Sequence, residues 1–405
     1  LANELITDSI IAKEALMIVE NNLTLAKLIG RRYEKKFGVN GEKIGDTLTI
    51  RLPVRHRGRL GEEMDIQDVQ ERSVSLKIDQ MVGQDLAFSN VDLTLKVDQF
   101  RERYLDTACA SISNKIDKLM AEEYANCPNF AGVPGTVPAA LDSYFDASVI
   151  LSNFGVPTNN RSMVLSPRME VTIINALKGL FQAAAAIAAQ YESASMGKVI
   201  GFTWHMDQNV SVHTVGPLGG TPLVNGSGQS GATIVTDGWT AAAANRLKRG
   251  DIITFAVTNG VNPQSRDSMG ELRQVAVTQD TASDGAGAAT IPIFPTLEAA
   301  GAYQNIDAIP LDNAVIKIFG HASSFAGLQT RQGLAIHKEW LTAAFVDLEL
   351  PKGMAMAARA RSEKLPLSIR IVKGYDIRFN RELTRLDVLF GKKQIYEDFA
   401  CRVCS

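Results

Sequence analysis

Thr47-Leu48-Thr49-Ile50-Arg51-Leu52-Pro53-Val54-Arg55-His56-Arg57-Gly58-Arg59 runs out into Glu62, Glu63 and Asp65 and returns through Val74-Ser75-Leu76-Lys77-Ile78. Leu48, Ile50, Leu52 and Val54 alternate with other side chains, so one face of a strand is apolar. Val74, Leu76 and Ile78 repeat the pattern on the way back. Between them Arg51, Arg55, Arg57 and Arg59 are followed by Glu62, Glu63, Asp65, Asp68 and Glu71. A two-stranded arm with so few apolar side chains does not hold itself up in water. It needs another surface to lie on. After it, Phe100, Tyr104, Ala108, Ile112, Ile116 and Met120 recur at near-helical spacing. They predict one long helix over residues 95–126, about 48 Å at 1.5 Å per residue. Asn126-Cys127-Pro128 stops it.

The 405 residues suffice for two or three domains, and an ordinary charged fraction of 21% with 45% hydrophobic residues predicts a packed globular protein. A net charge of −2 argues against a dedicated nucleic-acid binder. Charge is concentrated in residues 1–128 and sparse over 129–230, which predicts polar surroundings for the first region and tight packing for the second. The four cysteines are Cys109, Cys127, Cys401 and Cys404. Cys401 and Cys404 make a C-x-x-C with no second pair, so reduced, packed thiols are expected rather than a metal site. Glu4, Asp8, Lys13 and Glu14 interrupt the start, so no secretory signal is expected, and the run Ala183–Ala189 is too short to span a bilayer.

Residues 3–37 show helical spacing, with acids early and Arg31, Arg32, Lys35 and Lys36 late, and a break near Asn21-Asn22 is expected. The basic cluster reads either as a solvated face or as a site for nucleic acid or an acidic partner. Pro134 to Pro157 reads as loop. Ser166-Pro167 reads as an N-cap and first helical residue, opening a helix pair that runs to about Ser193. Val199 to Val215 reads as a strand with Phe202, Trp204 and Met206 on one side. The glycine-rich stretch 216–231 reads as linker or tight turns. From Thr233 to Phe319, strands are expected at Ile252–Val257, Gln274–Val277, Ile291–Phe294 and Ala314–Ile318, which together suggest a small inserted β-barrel or sandwich. An antiparallel meander closes the chain, carried by Leu367, Ile369 and Ile371, then Tyr375, Ile377 and Phe379, then Leu386, Val388 and Phe390, and finally Phe399, Cys401 and Val403.

Chemistry is hard to find. His56, His205, His213, His321 and His337 do not pair at ligand spacing, and no nucleophile elbow, P-loop or dinucleotide fingerprint occurs. Arg249-Gly250-Asp251 spells an adhesion tripeptide, but its place just before Ile252 predicts a turn. No aromatic ladder with interleaved basic residues is present for single-stranded nucleic acid.

Gly333-Leu334-Ala335-Ile336-His337-Lys338-Glu339-Trp340-Leu341 resembles the Asn-Leu-Ala-Phe-His-Lys stretch of tailed-bacteriophage major capsid proteins. Gly333 stands where that stretch has Asn, and Ile336 where it has Phe. Met196-Gly197-Lys198-Val199-Ile200-Gly201-Phe202 resembles the Gly-x-x-x-Gly-Phe that leads into their axial domain. Leu247-Lys248-Arg249-Gly250-Asp251-Ile252-Ile253-Thr254-Phe255 is similar to the start of the barrel inserted into some short-tailed-phage coat proteins.

The resemblance spans essentially the whole chain and implies an α+β, HK97-like capsid fold. Its parts would be an N-arm (1–44), an extended loop or E-loop (45–80), a peripheral domain with the spine helix (81–150), an axial domain (151–215), an inserted small β-barrel (216–328) and closing axial and peripheral strands (329–405). It implies a non-enzymatic protein without cofactor or metal, assembling with itself into pentamers and hexamers of an icosahedral shell around double-stranded DNA. Scaffolding, portal and decoration or cement proteins are the implied partners, with no membrane. Assembly in the host cytoplasm into a virion capsid follows. An encapsulin-like nanocompartment shell protein is the alternative within the same fold, and a hydrolase with a cleft around His337 is the alternative outside it. On this reading Arg51, Arg55, Arg57, Arg59, Glu62, Glu63 and Asp65 pair with neighbouring subunits or, alternatively, form a ladder within the hairpin. Arg266 and Asp267, in the turns Asn259 to Gly270, reach a neighbouring capsomer. Arg31, Arg32, Lys35 and Lys36 face interior DNA or scaffold.

Overall fold

The computed structural model describes residues 8–32, 47–56, 58, 61–64, 66, 69–89, 105–177, 197–241, 244–321, 324–352, 356–362, 365, 367–379 and 381–405. These fall into two compact units. One is drawn from Leu1–Ile50, Ser73–Met120 and Leu341–Lys393, the other from Arg51–Arg72, Ala121–Trp340 and Gln394–Ser405.

In the first unit the helix Asp8–Asn22 ends where Asn21-Asn22 predicts a break, and a short helix Leu25–Leu28 follows. The break is held by Asp117, whose carboxylate accepts from the Thr24 amide at 2.7 Å and the Ala26 amide at 2.9 Å. Asp117 lies on the helix Asp106–Ala121. Ala108, Ile112, Ile116 and Met120 are all buried, as their spacing predicts. The remainder of the long helix expected over 95–126 departs in part. Residues 95–104 lie outside the described residues, and Glu122–Asn126 tighten into a 3-10 turn before Pro128.

The sheet of this unit runs in the order Leu341–Val346, Arg381–Gln394, Ser368–Asp376, Met356–Arg361, with Gln80–Ser89 also paired to Arg381–Gln394. Of the expected closing meander, the strands around Leu367–Ile371 and Leu386–Phe390 do pair, as Ser368–Asp376 with Arg381–Gln394, and Met356–Arg361 adds a strand that was not expected. Ile377 and Phe379 sit in the turn, 85% and 67% exposed, rather than on a strand.

In the second unit a sheet runs Asn129–Gly132, Ala400–Cys404, Gln329–His337, Arg161–Leu165, Phe202–Met206, Lys198–Val199. The last strand of the chain, Ala400–Cys404, thus leaves the meander and lies antiparallel to Gln329–His337 and parallel to Asn129–Gly132. The helix Pro167–Leu177 starts at the predicted cap, with Ser166 Oγ accepting from the Met169 amide at 3.4 Å. The expected continuation to Ser193 lies outside the described residues beyond Leu177. Pro134 to Pro157 is not loop throughout, because Asp142–Asn153 is a helix burying Tyr144, Ala147 and Leu151. Exposed Phe145 and Val149 on its other side blur the periodicity that would have announced it. The expected strand Val199–Val215 is broken into Lys198–Val199, Phe202–Met206 and Val212–Thr214. Ile200 and Gly201 take positive φ, and Asp207 accepts from the Asn209 amide to end the middle piece. Met206 is 52% exposed, unlike Phe202 and Trp204.

The other sheet of this unit runs Ile316–Ile318, Ile252–Val261, Ser268–Val277, Ala289–Leu297, Gly231–Trp239, Gly220–Val224. Gly220–Val224 is a strand where only linker or turns were expected, and Gly231–Trp239 begins before the expected β region. The sheet curls until its two edges meet. Leu223 bridges Val315, and the Val224 amide donates to the Ala314 carbonyl at 3.0 Å. Near-closure removes the exposed edges that would otherwise pair with other strands. Ile234, Ile252, Phe255, Val275, Ile291 and Ile316 fill the interior with no exposed surface. Each such side chain contributes roughly 1.5–3 kcal/mol by leaving water.

Candidate assembly interface

The extended arm begins as the strand pair Thr47–Arg51 and Ser73–Lys77. One further rung, Leu52 amide to Arg72 carbonyl at 2.8 Å, continues the ladder before the chain diverges. Beyond it Arg51 and Glu71 approach to 3.7 Å while 80% and 59% exposed. An ion pair that open contributes at most about 1 kcal/mol. The apolar side chains farther out, Met64, Ile66 and Val69, are 75%, 84% and 64% exposed. Glu62 and Glu63 are exposed beside them, and Arg57, Arg59 and Asp65 lie outside the described residues.

At its root the arm meets the segment Thr296–Asn305. Arg72 pairs with the Glu298 carboxylate, and its guanidinium carbon lies 3.9 Å from the centre of the Tyr303 ring. Arg55 approaches the same ring at 5.5 Å. The Tyr303 hydroxyl donates to the Gln70 carbonyl at 3.0 Å. Tyr303, Glu298 and Arg72 had no motif to mark them.

The hairpin Asn259 to Gly270 carries Arg266 and Asp267 in a tight loop. The Arg266 amide donates to the Asn262 carbonyl at 2.9 Å, and the Asn262 amide to the Asp267 carbonyl at 3.0 Å. Arg266 takes a φ of +62°, and Asp267 is exposed. Asn262 Nδ2 donates to the Asn153 carbonyl at 2.7 Å, fixing the hairpin against the end of the helix Asp142–Asn153.

Where the chain passes into the curled sheet, polar groups are buried together. Asp251 is fully buried, and its carboxylate accepts from the Lys248 amide (2.8 Å), the Gly216 amide (3.1 Å) and His213 Nε2 (2.8 Å). Nε2–H facing a carboxylate leaves His213 Nδ1, 3.1 Å from the Tyr124 hydroxyl, to accept from it in the neutral imidazole. Burial raises the Tyr124 hydroxyl above its ordinary range, against the lowering influence of Arg402 and Arg249. Arg402 donates to the Gly250 carbonyl at 2.7 Å, with its guanidinium over the rings of Tyr124 and Phe319. The Arg249-Gly250-Asp251 tripeptide is thus a turn, with Gly250 at φ +96° and its aspartate out of reach of any adhesion partner. The segments Val215–Gly216 and Gly327–Leu328 run side by side, through Val215 amide to Leu328 carbonyl (2.9 Å) and Gly327 amide to Gly216 carbonyl (3.1 Å).

A second buried pair, Arg273 with Asp398 at 2.7 Å, lies beside Glu397. Burial and Asp398 push Glu397 up to about 7, opposed by Arg273, Arg55 and Arg72. In the first unit Arg31 donates to the Ala26 carbonyl at 2.7 Å and lies over the Phe345 ring at 4.9 Å. Arg32 is exposed, and Lys35 and Lys36 lie outside the described residues. His337 is buried, with its ring edge-on to Phe399 and Nδ1 accepting from the Glu339 amide at 3.3 Å; burial lowers its proton affinity. No group of metal-binding side chains occurs among the described residues. Among them no helix is long and apolar enough to cross a membrane.

The family model described as P22 coat protein, gene protein 5, matches residues 2–396. Among solved structures, a chain of Mycobacterium phage Che8 is 12% identical, over 94% of this chain and 90% of that one, with a TM-score of 0.45. The capsid of Ralstonia phage GP4 is 11% identical, over 94% and 88%, with a TM-score of 0.46. The CUS-3 coat protein I-domain is 23% identical, over 27% of this chain and 96% of that one, with a TM-score of 0.17. Among curated proteins none matches.

Proposed function

The chain belongs to the P22 coat protein family, and from that membership we propose that it is the major capsid protein of a tailed bacteriophage, a structural protein that self-assembles into the shell of the virion. The observation that carries this is the family match over residues 2–396 on an α+β, HK97-like fold with an inserted barrel-like β-domain. Negative-stain microscopy of the purified protein tests it. Closed shells tens of nanometres across are expected; discrete small oligomers under every assembly condition would overturn it.

The finer reading follows the same logic. Pentamers and hexamers of one chain need adaptable contacts, which a projecting arm with an exposed apolar end supplies. The domain plan is the N-arm at 1–44, the E-loop at 45–80, the spine-helix peripheral domain at 81–150, the axial domain at 151–215 with closing strands at 329–405, and the insertion at 216–328. Supporting the last boundary is the side-by-side run of Val215–Gly216 and Gly327–Leu328. Arg51, Arg55, Arg57, Arg59, Glu62, Glu63 and Asp65 are assigned to contacts between subunits, and Arg266 with Asp267 to a neighbouring capsomer. Arg31, Arg32, Lys35 and Lys36 are assigned to packaged double-stranded DNA or to a scaffolding protein. Portal and decoration proteins complete the partner set, with assembly in the host cytoplasm.

A further inference from the structure

We infer that the inserted β-domain clamps the root of its own subunit's extended arm, so that the arm's direction is set before a neighbouring copy meets its end. This rests on the capsid reading for its purpose, but not for its geometry.

Four contacts converge on two side chains of the inserted domain. The Arg72 guanidinium pairs with Glu298 and stacks on Tyr303; Arg55, from the opposite side of the arm, reaches the same ring; and the Tyr303 hydroxyl donates to the Gln70 carbonyl. A guanidinium over a tyrosine face is attracted by the ring quadrupole, more strongly when partly desolvated. Tyr303 is 6% exposed, while Arg72 and Glu298 keep 34% and 31% of their side-chain surface in water, so the contact is partly desolvated.

The receiving surface is rigid. Asn305 donates its amide to the Glu298 carbonyl at 2.9 Å, accepts the Glu298 amide on Oδ1 at 2.9 Å, and donates Nδ2 to the Thr296 carbonyl at 2.7 Å. Thr296 Oγ1 donates to the Glu298 carboxylate at 3.2 Å. A carboxylate and a ring held this way lose little freedom when they receive the arginines, which strengthens the contact. Among the described residues the arm's own support at this level is the Leu52–Arg72 rung and an open ion pair, so its direction needs an outside support. Residues 51–72 group with the unit that holds the inserted domain.

Hydrogen–deuterium exchange of the unassembled full-length subunit tests the clamp. Tyr303→Ala and Arg72→Ala should each speed exchange over residues 51–72 by about tenfold, since that protection tracks a local opening equilibrium. Amides of the strands Ile252–Val261 and Ser268–Val277 should keep their rates, which shows that the inserted domain remains folded. Should Tyr303→Ala unfold that domain, Arg72→Ala, on the arm, still gives the answer. Unchanged exchange of 51–72 in Arg72→Ala would overturn the clamp. So would protection of 51–72 that arises only in assembled shells, because the ring would then come from a neighbour. Failure of the wild-type chain to form shells by microscopy would overturn the capsid reading and leave the exchange comparison intact.

Discussion

His213 Nε2 lies 2.8 Å from Asp251 Oδ1, and both side chains are shut off from solvent. The same carboxylate accepts from the amides of Gly216 and Lys248, so one side chain ties the chain entering the curled sheet to the turn before Ile252–Val261. Removing a buried charge that satisfies three donors strands all of them. Asp251→Ala should therefore cost about 3–5 kcal/mol. Urea denaturation of the subunit measures it; a loss under 1 kcal/mol would show that the network contributes little.

Burial pushes Glu170 up to about 7 from its ordinary 4.5, and one of its carboxylate oxygens has no hydrogen-bond partner. The native carboxyl holds its proton more tightly than the unfolded one. Its contribution is therefore most favourable below pH 4.5, declines as pH rises, and becomes a full cost above about pH 7. Glu170→Gln should stabilise the subunit by about 2–3 kcal/mol at pH 8 and by almost nothing at pH 4.5. Wild-type and mutant stability curves that stay parallel from pH 4.5 to 8 would contradict this.

Asp117 accepts the amides of Thr24 and Ala26 at the break between the two N-terminal helices. Asp117→Asn leaves one acceptor oxygen and no charge, so a loss of about 1–2 kcal/mol is expected. Faster proteolysis within residues 8–32 should accompany it. Protease resistance equal to wild type would mean that other contacts hold the segment.

All four cysteines are buried and free. Burial pushes Cys109 and Cys127 up to about 12 and Cys404 to about 11, and holds Cys401 well above the ordinary thiol range. Thiolate is the reactive form, so an aromatic disulfide reagent at pH 8 should label none of them in minutes and all of them in urea. Rapid labelling of the native subunit would expose an error in this packing.

Replacing Arg31, Arg32, Lys35 and Lys36 with Ala separates two uses of the basic cluster. Normal procapsids with impaired packaging would assign it to DNA, with binding that weakens with salt by a log–log slope of roughly −0.9 per phosphate. Loss of procapsids in the absence of DNA would assign it to scaffold. No effect on either would leave it as a solvated face, with Arg31 acting only through Ala26 and Phe345.

Local physics was legible. The alternation at Leu48 and Ile50, the stripe from Ala108 to Met120, the break at Asn21-Asn22 and the Ser166-Pro167 cap each depend on residues a few positions apart, and each stands in the structure. The helix Asp142–Asn153 and the strand Gly220–Val224 were illegible because proline, glycine and outward apolar residues masked their periods. The Arg249-Gly250-Asp251 turn was readable, yet the role of its aspartate was not, since nothing nearby names His213 as its partner.

By itself the sequence determined the kind of each strongly periodic element, the family resemblance and the absence of any catalytic motif. Only the tertiary structure decided which polar side chains meet. His213 and Asp251 are 38 positions apart, and Arg72 and Glu298 are 226 apart. Such pairs follow from how the sheet curls shut and where the arm comes to rest. Curling is a collective outcome of packing Ile252, Phe255, Val275 and Ile291 into one interior, and no spacing along the chain encodes the distance between two surface loops that this packing brings together.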